Sequence, residues 1–151
     1  MNEIERKFLV RNDAYKKEAQ KQTRIIQGFL NTDPERTVRV RIFGDQGMLT
    51  VKGKSNPSGT TRFEWEHSIS LEDAQALLEL CEPGIIDKIR YEIPVNSHVF
   101  EVDEFQGALK GLVIAEIELT DEDEPFAKPE WLGKEVTSNS EYYNSNLVKK
   151  I

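Results

Sequence analysis

Hydrophobic and polar residues alternate along most of the chain, and a period of two is typical of half-buried β-strands. Several of the links between alternating segments, such as "NTDPE", "GDQG" and "SNPSG", consist of turn-forming residues. Short links of this kind join antiparallel neighbours. The pattern predicts eight strands, with the sequences EIERKFLV (3–10), RIIQGFL (24–30), TVRVRI (37–42), MLTVKGK (48–54), TRFEWEHSIS (61–70), IIDKIRYEIPV (85–95), HVFEVDEF (98–105) and GLVIAEIEL (111–119).

Residues 70–84, "SLEDAQALLELCEPG", change to a helical period, with an apolar stripe from Leu71 to Cys81. Ser70 is a suitable N-cap, and Pro83 followed by Gly84 ends the run. We predict helical structure in three more places, a short helix over residues 12–21, one turn within 128–137 and a C-terminal helix within 140–150.

The alternation assigns charged residues of every predicted strand except the second to a single face, because residues i and i+2 lie on the same side of a strand. The cations of this face are Lys7, Arg39, Arg41, Lys52, Lys54, Arg62, Lys88 and Arg90. The anions are Glu3, Glu5, Glu64, Glu66, Glu101, Asp103, Glu116 and Glu118. A face exposed to solvent would also be polar. However, each i, i+2 acidic pair costs roughly 2 kcal/mol at an effective dielectric near 20, which neighbouring cations or a divalent metal would offset.

Eight antiparallel strands can close into a barrel, which removes exposed edges. We therefore predict an α+β, mainly β fold, an eight-stranded closed antiparallel barrel with a few helices packed outside. The apolar face would point outward and the charged face would line the lumen. A lumen of alternating cations and carboxylates suits a polyanion that is held together with Mg²⁺ or Mn²⁺.

Composition narrows the class of partner. The 151 residues fit one domain, 1–151, and carry a formal net charge of -7, so no overall field draws the chain to nucleic acid or anionic lipid. The single cysteine, Cys81, allows no internal disulfide, and no apolar run is long enough to span a membrane. The cytoplasm is the expected location. His67 and His98 lie far apart in sequence, which argues against a histidine zinc site.

At residues 3–7, "EIERK" resembles the E-x-E-x-K signature of the CYTH superfamily, the triphosphate tunnel metalloenzymes. The likeness continues in order along the chain and is closest to short bacterial members of one domain. It includes VRVR (38–41), LTVKGK (49–54), FEWE (63–66), DKIRY (87–91), EVDEFQGALKGLVIAEIEL (101–119) and WLGKEVT (131–137).

The resemblance implies a tunnel that binds a triphosphate with one or two divalent metals, and it suggests a role for each matching residue. The implied metal ligands are Glu3, Glu5, Glu116 and Glu118. The implied phosphate ligands are Lys7, Arg39, Arg41, Lys52, Lys88 and Arg90, with Lys134 closing one mouth. Glu64 and Glu66 would form a second metal site or orient water, so the residues assigned to catalysis are Glu5, Lys7, Glu64 and Glu66. The roles of Glu101 and Asp103 stay open.

Members of this family differ in activity, and the sequence favours hydrolysis of inorganic triphosphate. Only two residues precede Glu3, whereas the cyclases carry a longer lead, and no element offers an obvious base pocket. The alternatives are an adenylate cyclase, a nucleoside or thiamine triphosphatase, and a module that binds polyphosphate without turnover. A homodimer through Trp131, Tyr142 and Tyr143 is a further possibility, although packing of the C-terminal helix explains these aromatics equally well.

Overall fold

The computed structural model describes residues 2–151, and nearly half of them lie in strands. The strands are β1 (Asn2–Val10), β2 (Lys21–Asn31), β3 (Arg36–Phe43), β4 (Gln46–Gly53), β5 (Thr61–Ile69), β6 (Ile86–Val95), β7 (His98–Phe105), β8 (Val113–Glu118) and β9 (Leu132–Glu135). The helices are α1 (Tyr15–Glu18), α2 (Leu71–Leu78) and α3 (Asn144–Leu147). Among residues 2–151, no helix is long and apolar enough to cross a membrane.

The first eight strands form a closed antiparallel barrel in the order β1–β5–β4–β3–β2–β6–β7–β8 and back to β1. The closing contact is short, because only Asn2 to Ile4 of β1 pair with Thr61 to Phe63 of β5. On its other edge β1 pairs with β8 over residues 5–9. The predicted eight-stranded barrel is therefore confirmed.

The predicted helical turn within 128–137 is wrong, since residues 132–135 form β9. Pairing with β5 covers only the first residues of β1 and leaves the rest of that edge open. β9 pairs with this free edge, placing Glu135 opposite Phe8 and Leu132 opposite Val10. A strand satisfies the backbone groups of an open sheet edge, which an isolated helical turn would leave unpaired.

The main apolar cluster lies outside the barrel wall, as the alternation predicted. Outward residues of β1, β6, β7 and β8, including Phe8, Phe100 and Ile117, pack with Tyr15 of α1 and with Trp131. Helix α2 covers β2, β3 and β4, and its N-cap forms as predicted, since Asp73 N–H donates to Ser70 Oγ at 3.0 Å.

The outward face of β5 differs from the expected covering by helices. Phe63 and Trp65 are 49% and 45% exposed there, and the ring of Trp65 stacks on that of His67. Helix α2 packs on the neighbouring strands and leaves these two aromatic side chains in contact with solvent.

A second apolar cluster lies inside the barrel and fills one end of it. Lumen-facing Phe29, Phe105 and Ile114 pack there against Leu147 and Val148 of the C-terminal segment. This segment is less regular than the predicted helix, because a 3-10 turn precedes and another follows the single turn of α3. The C-terminus thus closes one end of the lumen.

Candidate active site

The open part of the lumen is a cavity of about 200 Å³ with a strongly charged wall. Alternation along seven strands brings most of the predicted charged face together here. The cations in the wall are Lys7, Arg39, Arg41, Lys52, Arg62 and Arg90. The carboxylates are Glu3, Glu5, Glu64, Glu66, Glu101, Glu116 and Glu118.

Two arginines of β3 present donors that the protein does not satisfy. Arg39 and Arg41 lie 3.7 and 3.8 Å from one oxygen of Glu66, and Arg39 also donates to Thr50 Oγ1 at 3.2 Å. Their Nε–H groups are buried and have no partner within residues 2–151. Buried donors of this kind are costly unless a ligand accepts from them.

The lowered pKa of Arg41 reflects burial and repulsion between neighbouring cations. Burial and the neighbouring charges of Arg39 and Arg90 lower it to about 10, although arginine ordinarily stays charged at any accessible pH. An anion between these side chains would relieve the repulsion and accept the unused donors. This part of the wall therefore favours a polyanionic ligand.

Lys52 of β4, the strand next to β3, connects two acidic strands of the wall, β1 and β5. Its Nζ lies 2.8 Å from Glu3 Oε1 and 3.5 Å from Glu64 Oε2. Burial, together with a hydrogen bond to Glu64, raises the pKa of Glu3 despite the opposing charge of Lys52. The carboxylates here are more numerous than the single ammonium can neutralise.

Glu5 and Glu116 form the most perturbed pair in the wall. Burial and the adjacent charge of Glu116 raise the pKa of Glu5 well above its usual value. Burial would also raise the pKa of Glu116, but Lys7, a hydrogen bond from Glu5 and nearby cations hold it well below the usual range. The two buried carboxyl groups thus disfavour full ionisation of the pair, because each negative charge raises the cost of the other.

The oxygen-rich wall fits a hard divalent cation. Within the described residues 2–151, no three His, Cys, Asp or Glu side chains come together as a ready-made metal site. Mg²⁺, however, is usually bound by one or two carboxylates while water and phosphate oxygens complete its shell. Glu5 and Glu116, with Glu3 and Glu118 on the same strands, offer such a partial set. The charge repulsion between Glu5 and Glu116 marks where a cation would be favourable.

Lys88 faces the inside of the barrel but lies beyond the open cavity and does not line it. Its side chain is fully buried, and Nζ lies 2.8 Å from Asp103 Oδ2. Asp103 also accepts two hydrogen bonds from Arg90, at 2.8 and 2.9 Å. Burial lowers the pKa of Lys88 to about 8, whereas Arg90 and Lys88 lower that of Asp103 to about 2 against the effect of burial. Asp103, whose role the sequence left open, therefore anchors both cations of β6.

Lys134 does not reach the lumen. It lies on β9, on the outer edge of β1, and is exposed. The helical turn that would have carried it to a mouth of the tunnel is absent from residues 132–135, which form a strand. We therefore leave Lys134 out of the proposed phosphate site.

Part of the cavity wall comes from the C-terminal segment, which the sequence analysis did not place there. Tyr143, Asn144 and Ser145 line the cavity. They belong to short irregular turns, so no strand alternation marks them in the sequence. The apolar pair Leu147 and Val148, which enters the inner cluster, and the aromatic residue Tyr142, which packs against it, are the local signals that this segment packs inward.

The CYTH domain model matches residues 1–150 of this chain. The chain belongs to the CYTH family. An inorganic triphosphatase from Acetivibrio thermocellus is 51% identical to it over 148 residues, which cover 97% of this chain and 93% of the relative. A second inorganic triphosphatase, from Nitrosomonas europaea, is 33% identical over 156 residues and covers 100% and 99% of the two chains.

A solved crystal structure of the inorganic triphosphatase NE1496 superposes with a TM-score of 0.70 and 31% sequence identity, covering 99% of this chain and 95% of that one. The two share the tunnel fold over nearly their whole length. Membership of this family implies a divalent metal in the tunnel, which agrees with the partial carboxylate set described above.

Proposed function

We propose that this protein hydrolyses inorganic triphosphate inside its tunnel in the presence of Mg²⁺ or Mn²⁺. The observation that carries the proposal is the pair of buried guanidinium groups, Arg39 and Arg41, whose Nε–H donors have no partner within residues 2–151. The relatives named inorganic triphosphatase, at 51% and 33% identity, support the same substrate.

The size of the cavity supports a small anion over a nucleotide. Pockets for drug-sized ligands measure roughly 300–1,000 Å³, whereas this cavity holds about 200 Å³. Its wall is dominated by charge, with Phe29 and Tyr143 as aromatic members. A chain of three phosphates offers oxygens to every cation of the wall and needs no pocket for a base or ribose.

The reaction needs the cations to hold the substrate while water attacks. Arg39, Arg41, Lys52, Arg90 and Lys7 would bind the phosphate oxygens and stabilise the charge that develops on them. The oxygen of water bonds to a terminal phosphorus, the bridging P–O bond breaks, and phosphate and pyrophosphate leave. The side chains of Lys7, Arg39, Lys52 and Arg90 are largely buried, which strengthens each contact with phosphate.

The carboxylates of the cavity fall into two groups, one that would bind the divalent metal and one that would bind a second metal or orient the attacking water. Glu3, Glu5, Glu116 and Glu118 would hold the divalent cation, which when bound would neutralise phosphate oxygens as a Lewis acid. Glu64 and Glu66 would form a second metal site or orient the attacking water. The hydrogen bond from Thr50 Oγ1 to Glu66 Oε2, at 2.8 Å, supports the second task for Glu66, because the other carboxylate oxygen takes no part in it.

Several finer points stay predictions. We expect one domain over residues 1–151, and the family match to residues 1–150 supports this. We also expect a cytoplasmic location. Turnover of nucleoside triphosphates and assembly into a homodimer are also predictions.

The test is phosphate release from inorganic triphosphate, ATP and thiamine triphosphate, each with Mg²⁺, with Mn²⁺ and with chelator. Inorganic triphosphate should be the fastest substrate, and chelator should abolish release. Cyclic AMP as the main product from ATP would assign the protein to the cyclases instead. Binding of triphosphate without any release would make it a binding module.

Glu5→Gln tests the metal site in the same preparation. Because a neutral amide is a poor ligand for a hard cation, activity should fall about 100-fold or more, the equivalent of several kcal/mol of lost charge stabilisation. The metal-free melting temperature should hold or rise, since the Glu5 carboxyl is already driven toward its neutral form. The rise in melting temperature on adding metal should shrink.

The matched control for Glu5→Gln is Glu35→Gln, which changes an exposed glutamate outside the cavity. It should keep both the activity and the metal-induced rise in melting temperature. If Glu5→Gln keeps them as well, Glu5 is not a metal ligand and the proposed metal site is misplaced.

A further inference from the structure

Lys7 makes three contacts near the cavity, and none of them is a short hydrogen bond. Its Nζ lies 3.4 Å from Glu116 Oε1, 3.5 Å from the carbonyl oxygen of Tyr142 and 5.5 Å from the ring centroid of Tyr143. By contrast, Lys52 lies 2.8 Å from Glu3. The Lys7 ammonium is therefore held in place by long contacts, and none of its N–H donors makes a strong hydrogen bond.

The contact with the Tyr143 ring can hold the Lys7 ammonium without using its N–H donors in hydrogen bonds. A ring face attracts a cation through its quadrupole, and the attraction is strongest where water is excluded. The side chain of Lys7 is only 7% exposed. Since a ring accepts no conventional hydrogen bond from the ammonium, this contact takes up no N–H donor, and only the long contacts with Glu116 and the Tyr142 carbonyl compete with phosphate oxygens.

The ring of Tyr143 is itself fixed from behind. A Cβ at position 59 would lie 3.1 Å from the Tyr143 hydroxyl oxygen, so the glycine there leaves room for the hydroxyl end of the side chain. The Tyr143 carbonyl accepts from Leu147 N at 2.9 Å, and Leu147 is buried in the inner apolar cluster. Packing at the closed end of the lumen thus sets the position of the ring.

We propose that Tyr143 is a positioning residue for the reaction and holds the Lys7 ammonium at the cavity by a cation–π contact. The C-terminal segment thereby supplies a working part of the site as well as closing one end of the lumen. This inference rests on the proposed function, because Lys7 is taken to bind the substrate phosphates.

The test replaces Tyr143 by phenylalanine and by phenylalanines that carry one, two and three ring fluorines. Fluorine withdraws charge from the ring face and changes its shape little. Tyr143→Phe should keep kcat/KM for triphosphate within about twofold, and kcat/KM should then fall stepwise to about tenfold lower with three fluorines. Triphosphate affinity, measured by calorimetry, should weaken in parallel, while the melting temperature stays constant.

The same series at Tyr142 is the matched control. Its ring packs against the inner apolar cluster, and it contacts Lys7 through the backbone carbonyl, which fluorination leaves intact. No graded fall is expected there.

The outcomes separate this inference from the proposed function. A flat series at position 143, an equal fall at both positions, or a loss of activity already complete in Tyr143→Phe would each overturn the positioning role. If the wild-type protein releases no phosphate from triphosphate, the proposed function fails. The calorimetric series then decides the positioning role by itself: a graded loss of affinity supports it, and unchanged or undetectable binding overturns it.

Discussion

Asp103 is the residue whose removal should reveal how the cations of the tunnel are held. It is buried between Lys88 Nζ and the Arg90 guanidinium, with contacts of 2.8 to 2.9 Å. Asp103→Asn keeps the shape and leaves two buried cations without their shared anion. Breaking a buried ion pair in this way costs about 3–5 kcal/mol of folding free energy at neutral pH.

The pKa of Asp103 supplies a second, independent magnitude. It falls from the usual 3.8 to about 2 on folding, and each unit corresponds to about 1.36 kcal/mol. Because the folded value is depressed, the carboxylate contributes stability above the unfolded pKa and loses it as the pH falls through the folded one. The side chain is only 3% exposed, so solvent screens little of this. The contribution that depends on pH is therefore about 2 kcal/mol.

Urea denaturation of the wild type and Asp103→Asn from pH 7 down to pH 2 measures both quantities. Other carboxyl groups titrate in both proteins and largely cancel in the difference. The free energy of unfolding of the wild type should exceed that of Asp103→Asn most near neutral pH. This difference should shrink by about 2 kcal/mol near pH 2. Glu35→Gln, at an exposed position, should stay within about 0.5 kcal/mol of wild type throughout. A difference in free energy of unfolding that is the same at every pH would refute the assignment of the ion pair to Asp103.

Two further comparisons test the wall of the cavity and its closed end. Arg39→Ala should lower kcat/KM for triphosphate by about 30-fold or more, because phosphate charge is left unpaired, whereas exposed Lys134→Ala should change it by less than about twofold. Gly84→Ala and Gly111→Ala replace glycines with φ of 98° and 103°. Gly111→Ala should destabilise by about 1 kcal/mol in urea titrations. Gly84→Ala should cost clearly more, since its Cβ would clash with the Val148 carbonyl oxygen, whereas nothing lies within 4 Å of a Cβ at position 111. Equal kcat/KM values for Arg39→Ala and Lys134→Ala would contradict the placement of Arg39 in the cavity wall. Equal stabilities of Gly84→Ala and Gly111→Ala would contradict the close packing of Gly84 against Val148.

The barrel itself could be predicted from the sequence, because its wall alternates strictly between two unlike environments. Arg39 and Arg41 face the lumen, while Val40 between them is fully buried on the outside. The same rule holds for Glu116 and Ile117 on β8. A one-residue slip in such a strand would move the charged side chains to the outer apolar face, so the alternating pattern specifies the register.

Features that depend on strand length or irregular backbone could not be predicted in this way. β9 forms because β5 covers only the first residues of β1, and no residue pattern states where that pairing stops. Lys88 follows the alternation and faces inward, yet it lies where Asp103 and Phe105 fill the barrel. Tyr143 reaches the cavity from a segment of short turns, where neither the period of two nor that of 3.6 applies.

The charge balance of the cavity explains why a metal and a polyanion should bind together. The six cations of the wall are matched by seven carboxylates, so the lumen has no net positive charge with which to attract a bare anion. Lys52 is already engaged by Glu3, and Arg90 by Asp103. A divalent cation on the carboxylate side would release part of this internal pairing and allow the freed donors to turn to phosphate. We therefore expect each ligand to raise the affinity for the other, because each neutralises the charge that the other leaves exposed.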